Sequence, residues 1–240
     1  MQKNDFTNII KKYYLDGLVP NARWTIKDKT LSVGKKSFDA SVLVQLDANL
    51  DIEDGEIGVF DAGNLLTILG ALDSEVNVEY QFHQNVPTGL VLNDKVSNAT
   101  FLLGDTSLDE FDVHSLKTNL PEFQVKINLK KDLIDRFIKG RSALKDSKIV
   151  AFEVKNGSTD VIINYDPNHG SNRITIPFTS ESSQILDICG FNIDPIQKAF
   201  SANLDFKTGT ISISDRGLME IHFLGEDYDV KYYLNKLQFD

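Results

Sequence analysis

DASVLVQLDANLDIEDGEIGVFDAGNLLTILGALDSEVNVEY, residues 39–80, decides how the rest of the chain is read. Its opening run, Ser41 to Asp47, alternates apolar and polar residues, as a half-buried strand requires. A second strand pattern covers Glu56 to Phe60. Asp61 is then placed to cap a helix whose apolar stripe is Leu65, Ile68, Leu69 and Leu72. The period returns to two at Val76 to Phe82.

This order is one part of a doubled pattern. Upstream lies a helix with Phe6, Ile9, Ile10 and Tyr13 on one face, then strand patterns at Trp24 to Ile26 and Thr30 to Val33. Downstream are strands at Gly89 to Leu92 and Ala99 to Leu103. A polar stretch from Gly104 to Glu122, broken by Pro121, reads as a linker. The pattern then restarts with a strand at Phe123 to Leu129 and a helix carrying Leu133, Ile134, Phe137 and Leu144. Three more strands follow, then a helix opened by Asp194-Pro195 with Ile196, Ala199 and Phe200 inward, then three final strands. Asp5-Phe6 aligns with Asp132-Leu133, and Leu65-Leu66 with Ile196-Gln197. The reading is an α+β protein of two similar domains, each two helices on antiparallel sheet, with boundaries at 1–108 and 123–240 and a connector at 109–122.

Charge is sorted into blocks. Residues 1–36 hold eight Lys/Arg against three Asp/Glu, and residues 126–155 hold nine against four. Residues 39–112 carry fifteen acids against one base, Lys95, and the net charge is −10. The two basic helical stretches, Lys3 to Tyr14 and Lys130 to Lys145, occupy equivalent places in the two copies. An acidic protein that gathers positive charge on a repeated element can hold a polyanion on one face and repel it elsewhere. A single basic helix face would more simply be a solvated surface; its recurrence favours a shared role.

Hydrophobic residues at 41% and charged residues at 25% are ordinary for a globular chain. No apolar run is long enough to cross a membrane, no signal peptide is evident, and the lone Cys189 fits a reducing compartment, so a soluble cytoplasmic protein is expected. The run Asp47-Ala-Asn49-Leu-Asp51 imitates a calcium loop. However, Ile52 stands where glycine is needed and Gly58 where the bidentate glutamate belongs. His83, His114, His169 and His222 show no metal spacing, and no phosphate loop or nucleophile elbow is present. Neither a cofactor, a metal nor a catalytic residue is expected, and the chain does not read as an enzyme.

Residues 39–80, together with KDLIDRFIKGRSALKDSKIVAFEV (131–154) and FNIDPIQKAFSANL (191–204), resemble the DNA polymerase sliding clamps, and within them the trimeric clamp of T-even-type tailed phages. The resemblance implies a homotrimeric ring of the DNA clamp fold, with helices lining a hole for duplex DNA bound without sequence preference. It implies a replicative polymerase and a clamp loader as partners, in an infected bacterial cell. Residues implied to face DNA are Lys3, Lys11, Lys12, Lys131, Arg136, Lys139, Lys145 and Lys198. Phe38, Leu116, Leu120, Tyr232 and Leu234 would line a pocket for partner peptides. Edge strands carrying Leu102 and Leu103, and Arg173, Ile174 and Ile176, would join subunits. The chain departs from that likeness in having no positive charge on its second helix and in a linker that is not proline-rich. The alternatives are a monomeric clamp-like DNA-binding protein, a non-enzymatic β-rich virion protein and, most remotely, a metal-dependent enzyme using the acidic block.

Overall fold

The computed structural model describes residues 1–106, 120–155, 157–168, 170–182 and 186–238. Most of the expected connector, 109–122, and Leu116 with it, lies outside the described residues. The described chain divides into two compact units, one of residues 1–38, 44–106 and 227–230, the other of 39–43, 120–226 and 231–238.

The first unit runs α1 (Lys3–Tyr14), β1 (Ala22–Lys27), β2 (Thr30–Lys36), β3 (Leu43–Asn49), β4 (Gly55–Val59), α2 (Ala62–Ala71), β5 (Asn77–His83), β6 (Val86–Asn93) and β7 (Asn98–Leu102). Strands order as β3-β2-β1-β4 and, in a separate sheet, β5-β6-β7. Asp61 caps α2 as expected, its carboxylate accepting the Asn64 amide at 2.8 Å. The core is aromatic at its centre. Trp24 is fully buried, meets Phe6 and Tyr13 edge-on at 5.9 and 6.1 Å, and donates its indole N–H to the Tyr13 hydroxyl at 3.2 Å.

The second unit opens with β8 (Val125–Leu129), then α3 (Lys131–Ala143), β9 (Ile149–Lys155), β10 (Ser158–Ile163), β11 (Ile174–Ser182) and β12 (Cys189–Asn192). α4 (Ile193–Ala202), β13 (Thr208–Ile213), β14 (Leu218–Leu224) and β15 (Tyr228–Asn235) complete it. Its strands order as β12-β9-β10-β11-β8-β13-β14-β15. Here the core is a chain of rings: Phe137 meets Phe200 at 5.0 Å, Phe200 meets Phe223 at 6.2 Å, and Phe223 meets Tyr232 at 6.4 Å.

From its first helix onward, each unit runs helix, four strands, helix, three strands among the described residues, and those four strands (β1–β4 and β9–β12) pair in the same order in both. Even the closing contacts recur. After β7 the Gly104 amide donates to Gly58 of β4 at 2.9 Å; after β15 the Leu237 amide donates to Gly190 of β12 at 2.8 Å. Strand β8 has a vestigial counterpart in Met1–Gln2, which bridges Glu75 just before β5.

Two local expectations are corrected. α4 begins earlier than Asp194-Pro195 suggests: Asn192 is the N-cap, accepting the Asp194 amide at 3.1 Å, and Pro195 is the third helical residue. Proline is tolerated throughout a first turn, so its position alone does not locate the cap. The helix alignment also shifts by one. Counted from helix starts, Phe6 matches Ile134 and both are fully buried, whereas Leu133 is half-buried. The same count pairs Lys11 with Lys139, both exposed, and Lys12 with Gly140, both buried.

Candidate nucleic-acid face and strand edges

The one-residue shift reassigns Lys12. Its side chain is 1% exposed, and its ammonium lies 3.8 Å from the centre of the Tyr228 ring. It therefore stands inside the first unit and cannot meet a phosphate. Lys3 is half-buried and donates to the Leu72 carbonyl, the C-cap of α2, a favourable place for a cation at a helix C-terminus. Of the three α1 lysines proposed for the polyanion face, only Lys11 is exposed.

In the second unit, Lys131, Arg136, Lys139 and Lys145 are all exposed, and Lys145 lies just beyond the end of α3. Arg136 stands 4.0 Å from Asp132 one turn earlier, an exposed pair of little energetic weight. Lys198 on α4 is half-buried. Arg141, which the apolar stripe places inward, has a structural use. Its guanidinium donates to the carbonyls of Leu144 and Lys145 beyond the helix end, and reaches Asp194 in the first turn of α4 at 3.1 Å. It ties the end of one helix to the start of the other.

Of the residues named for the peptide pocket, Leu116 lies outside the described residues and two others are buried. Tyr232 and Leu234 are 0% and 2% exposed and belong to the core of the second unit. Tyr232 accepts a hydrogen bond from the Asn203 side-chain amide at 2.8 Å, and its burial pushes the phenol far above its ordinary range. Alternation along β15 placed both correctly on a strand, but not on an outer face. Leu120 is half-buried. Phe38 is the opposite extreme, fully exposed on the turn before β3, where Asp39 accepts the Ser41 amide at 3.1 Å.

The strand edges are better formed. Among the described residues β7 is the last strand of its sheet, paired with β6 alone, and its terminal Leu102 is 76% exposed. Leu103 is half-buried and donates its amide to Thr88 at 3.0 Å. β11 pairs with β10 over Ile174–Thr179, and β8 pairs with it only at Ser180–Ser182. The other side of Ile174–Thr179 has no described partner strand. Pro177, which has no N–H, lies in this stretch, the kind of position an edge permits. Arg173 is exposed, Ile174 half-buried and Ile176 5% exposed. Beside the edge runs an open groove of about 400 Å³ lined by Arg136, Lys139, Gly140 and residues 174–177. Its use of two α3 cations is not legible from sequence spacing.

The acids of the calcium-like run are engaged locally. Asp47 accepts the Ser32 hydroxyl at 2.6 Å, and Lys29 sits 2.7 Å from Asp51, holding that carboxyl below its usual range. Among the described residues no group of three or more His, Cys, Asp or Glu side chains could hold a metal ion. No described helix is long and apolar enough to cross a membrane.

No protein-family profile matches the sequence, and no curated protein matches it. Solved structures do. One is the crystal structure of Proliferating Cellular Nuclear Antigen from Entamoeba histolytica, with a TM-score of 0.76 at 15% identity, covering 99% of this chain and 96% of that one. At that identity the likeness concerns architecture alone, and it extends over both units. The chain is an α+β protein with the DNA clamp fold.

Proposed function

We propose that the chain is a sliding clamp, a non-enzymatic ring that encircles duplex DNA and tethers the replicative polymerase to its template. Three copies close the ring, each joining β7 of its first unit to the open side of β11 in the next copy. A clamp loader opens it, and the setting is a phage-infected bacterial cell. The observation that carries this reading is that the clamp fold spans the whole chain while each unit has a strand edge, at β7 and at β11, with no described partner and an apolar residue on it. Open edges are aggregation hazards unless a partner covers them, and a heterologous pair of edges that closes into a ring removes both at once.

The polyanion contacts on this reading are Lys11 in the first unit and Lys131 and Lys145 in the second, with the half-buried Lys198 as a lesser one. Few phosphates need be neutralised, because topology rather than affinity retains the DNA. Light scattering on a sizing column across a dilution series is the first test. A species three times the 26.9 kDa chain that dissociates on dilution is expected. Ile174→Asp should shift it toward monomer. A wild-type chain that stays monomeric at every concentration, yet binds DNA with a steep salt dependence, would replace the ring with a clamp-like protein acting by affinity. Stimulation of its cognate polymerase on circular, but not linear, template completes the assignment.

A further inference from the structure

We propose that Arg136 and Lys139 of α3 serve self-association rather than DNA, forming the charged rim of the groove that receives the β7 edge of a second copy. The inference rests on the ring reading above and assigns two cations within it.

Gly140 sets how closely α3 approaches the sheet. A Cβ there would stand 2.7 Å from Cδ1 of Ile163 and 3.6 Å from Ile174, so glycine lets α3 lie close against β10 and β11. That close approach hangs the preceding turn over the β11 margin. Arg136 and Lys139, three residues apart and so neighbours on one helix face, become two walls of the groove. The floor is Ile174 and Ile176, and Arg173 stands exposed at the near end. A sheet-edge groove with an apolar floor and a cationic rim suits a strand that carries an apolar residue and is bordered by acids.

The first unit supplies one. Residues 77–105, the β5-β6-β7 sheet and the residues just after it, hold Glu79, Asp94 and Asp105 against the single Lys95. Leu102 is exposed on the outermost strand. β10 and β11 pair antiparallel, as do β5 with β6 and β6 with β7. A β7 strand added in that sense to Ile174–Thr179 brings its Leu102–Asp105 end beside Arg173 and Ile174, where the cations gather. Two β11 edges would instead oppose like charges, so the sign pattern also selects head-to-tail over head-to-head pairing.

The test compares R136E/K139E with K130E/K148E, which makes the same change in charge on exposed lysines outside the groove. Sedimentation equilibrium at two salt concentrations is the readout, with thermal unfolding to confirm folding. R136E/K139E should weaken self-association by at least about tenfold at low salt, less at high salt where the rim is screened, and K130E/K148E should not. Mixing R136E/K139E with E79K/D105K should restore hetero-association above that of either variant alone. An R136E/K139E chain that assembles like wild type, with only its DNA retention reduced, would overturn the assignment while leaving the ring intact. A wild-type chain with no self-association would overturn both.

Discussion

Reversing Lys12 separates a reading of the helix face from its tertiary setting. On the helix surface Lys11 and Lys12 are adjacent cations in the last turn of α1. Lys11→Glu should change stability by no more than about 0.5 kcal/mol, the range for an exposed site. Lys12→Glu removes a cation 3.8 Å from the Tyr228 ring, costing about 1–2 kcal/mol where the site is desolvated. It also leaves a carboxylate against the same ring in a position 1% exposed, a further cost of about 3–5 kcal/mol for an uncompensated buried charge. The sum, roughly 4–7 kcal/mol, is comparable to the whole stability of an ordinary domain. Lys12→Met, which keeps the apolar stem, should lose only about 1–2 kcal/mol. Urea unfolding followed by the fluorescence of Trp24, the one tryptophan of the chain and buried in the same unit, reads the difference. A Lys12→Glu protein that unfolds within about 1 kcal/mol of wild type and loses DNA retention as Lys11→Glu does would refute the buried assignment.

Three further outcomes are expected. At Gly104 any Cβ runs into the Phe60 ring lying over the Gly58–Gly104 contact, so Gly104→Val should lower the Trp24-reported midpoint, and Phe60→Ala in the same chain should recover part of the loss. Asn203→Ala removes the donor to the buried Tyr232 hydroxyl and should cost about 1–3 kcal/mol; an unchanged midpoint would place water there instead. Asp94 accepts the amides of Asp73, Ser97 and Val96, which hold its carboxyl below the ordinary 3.8. Its contribution is therefore fully present above that value and lost as pH falls through the lower folded value. Asp94→Asn should be less stable than wild type at pH 6, and the gap should narrow as the pH falls through and below the ordinary 3.8, as acid titrations of both proteins would reveal.

The doubled order of elements was legible because it rests on local periodicity. Leu65 and Ile196 hold the fourth position of α2 and α4 and are both fully buried, as their alignment implies. The Asp61 cap was legible for the same reason, since a side-chain oxygen three residues before an amide is a local geometry. β12 was not. Cys189–Asn192 is four residues long and is made a strand by pairing with β9, a partner about forty positions earlier. The candidate site divides along the same line. Lys11, Lys131 and Lys145 were placed correctly as exposed cations, because a polar residue off an apolar stripe faces outward when nothing else covers it. Lys12 failed that rule because Tyr228, more than two hundred residues later, covers it. Tyr232 and Leu234 failed because the alternation of burial breaks down in the second half of β15, where Tyr232, Tyr233 and Leu234 are buried in succession.

Composition and periodicity were enough to specify two α+β units, their charge blocks and the lack of any local catalytic or metal motif, since each depends on neighbours within a turn or a strand. Which cations face solvent, which strand edges stay open and which helix lies close enough to hang its charges over an edge were decided by contacts between residues far apart in the chain. Gly140 shows why. Its missing side chain has no local signature in a helix, and its effect exists only once Ile163 and Ile174 stand opposite it.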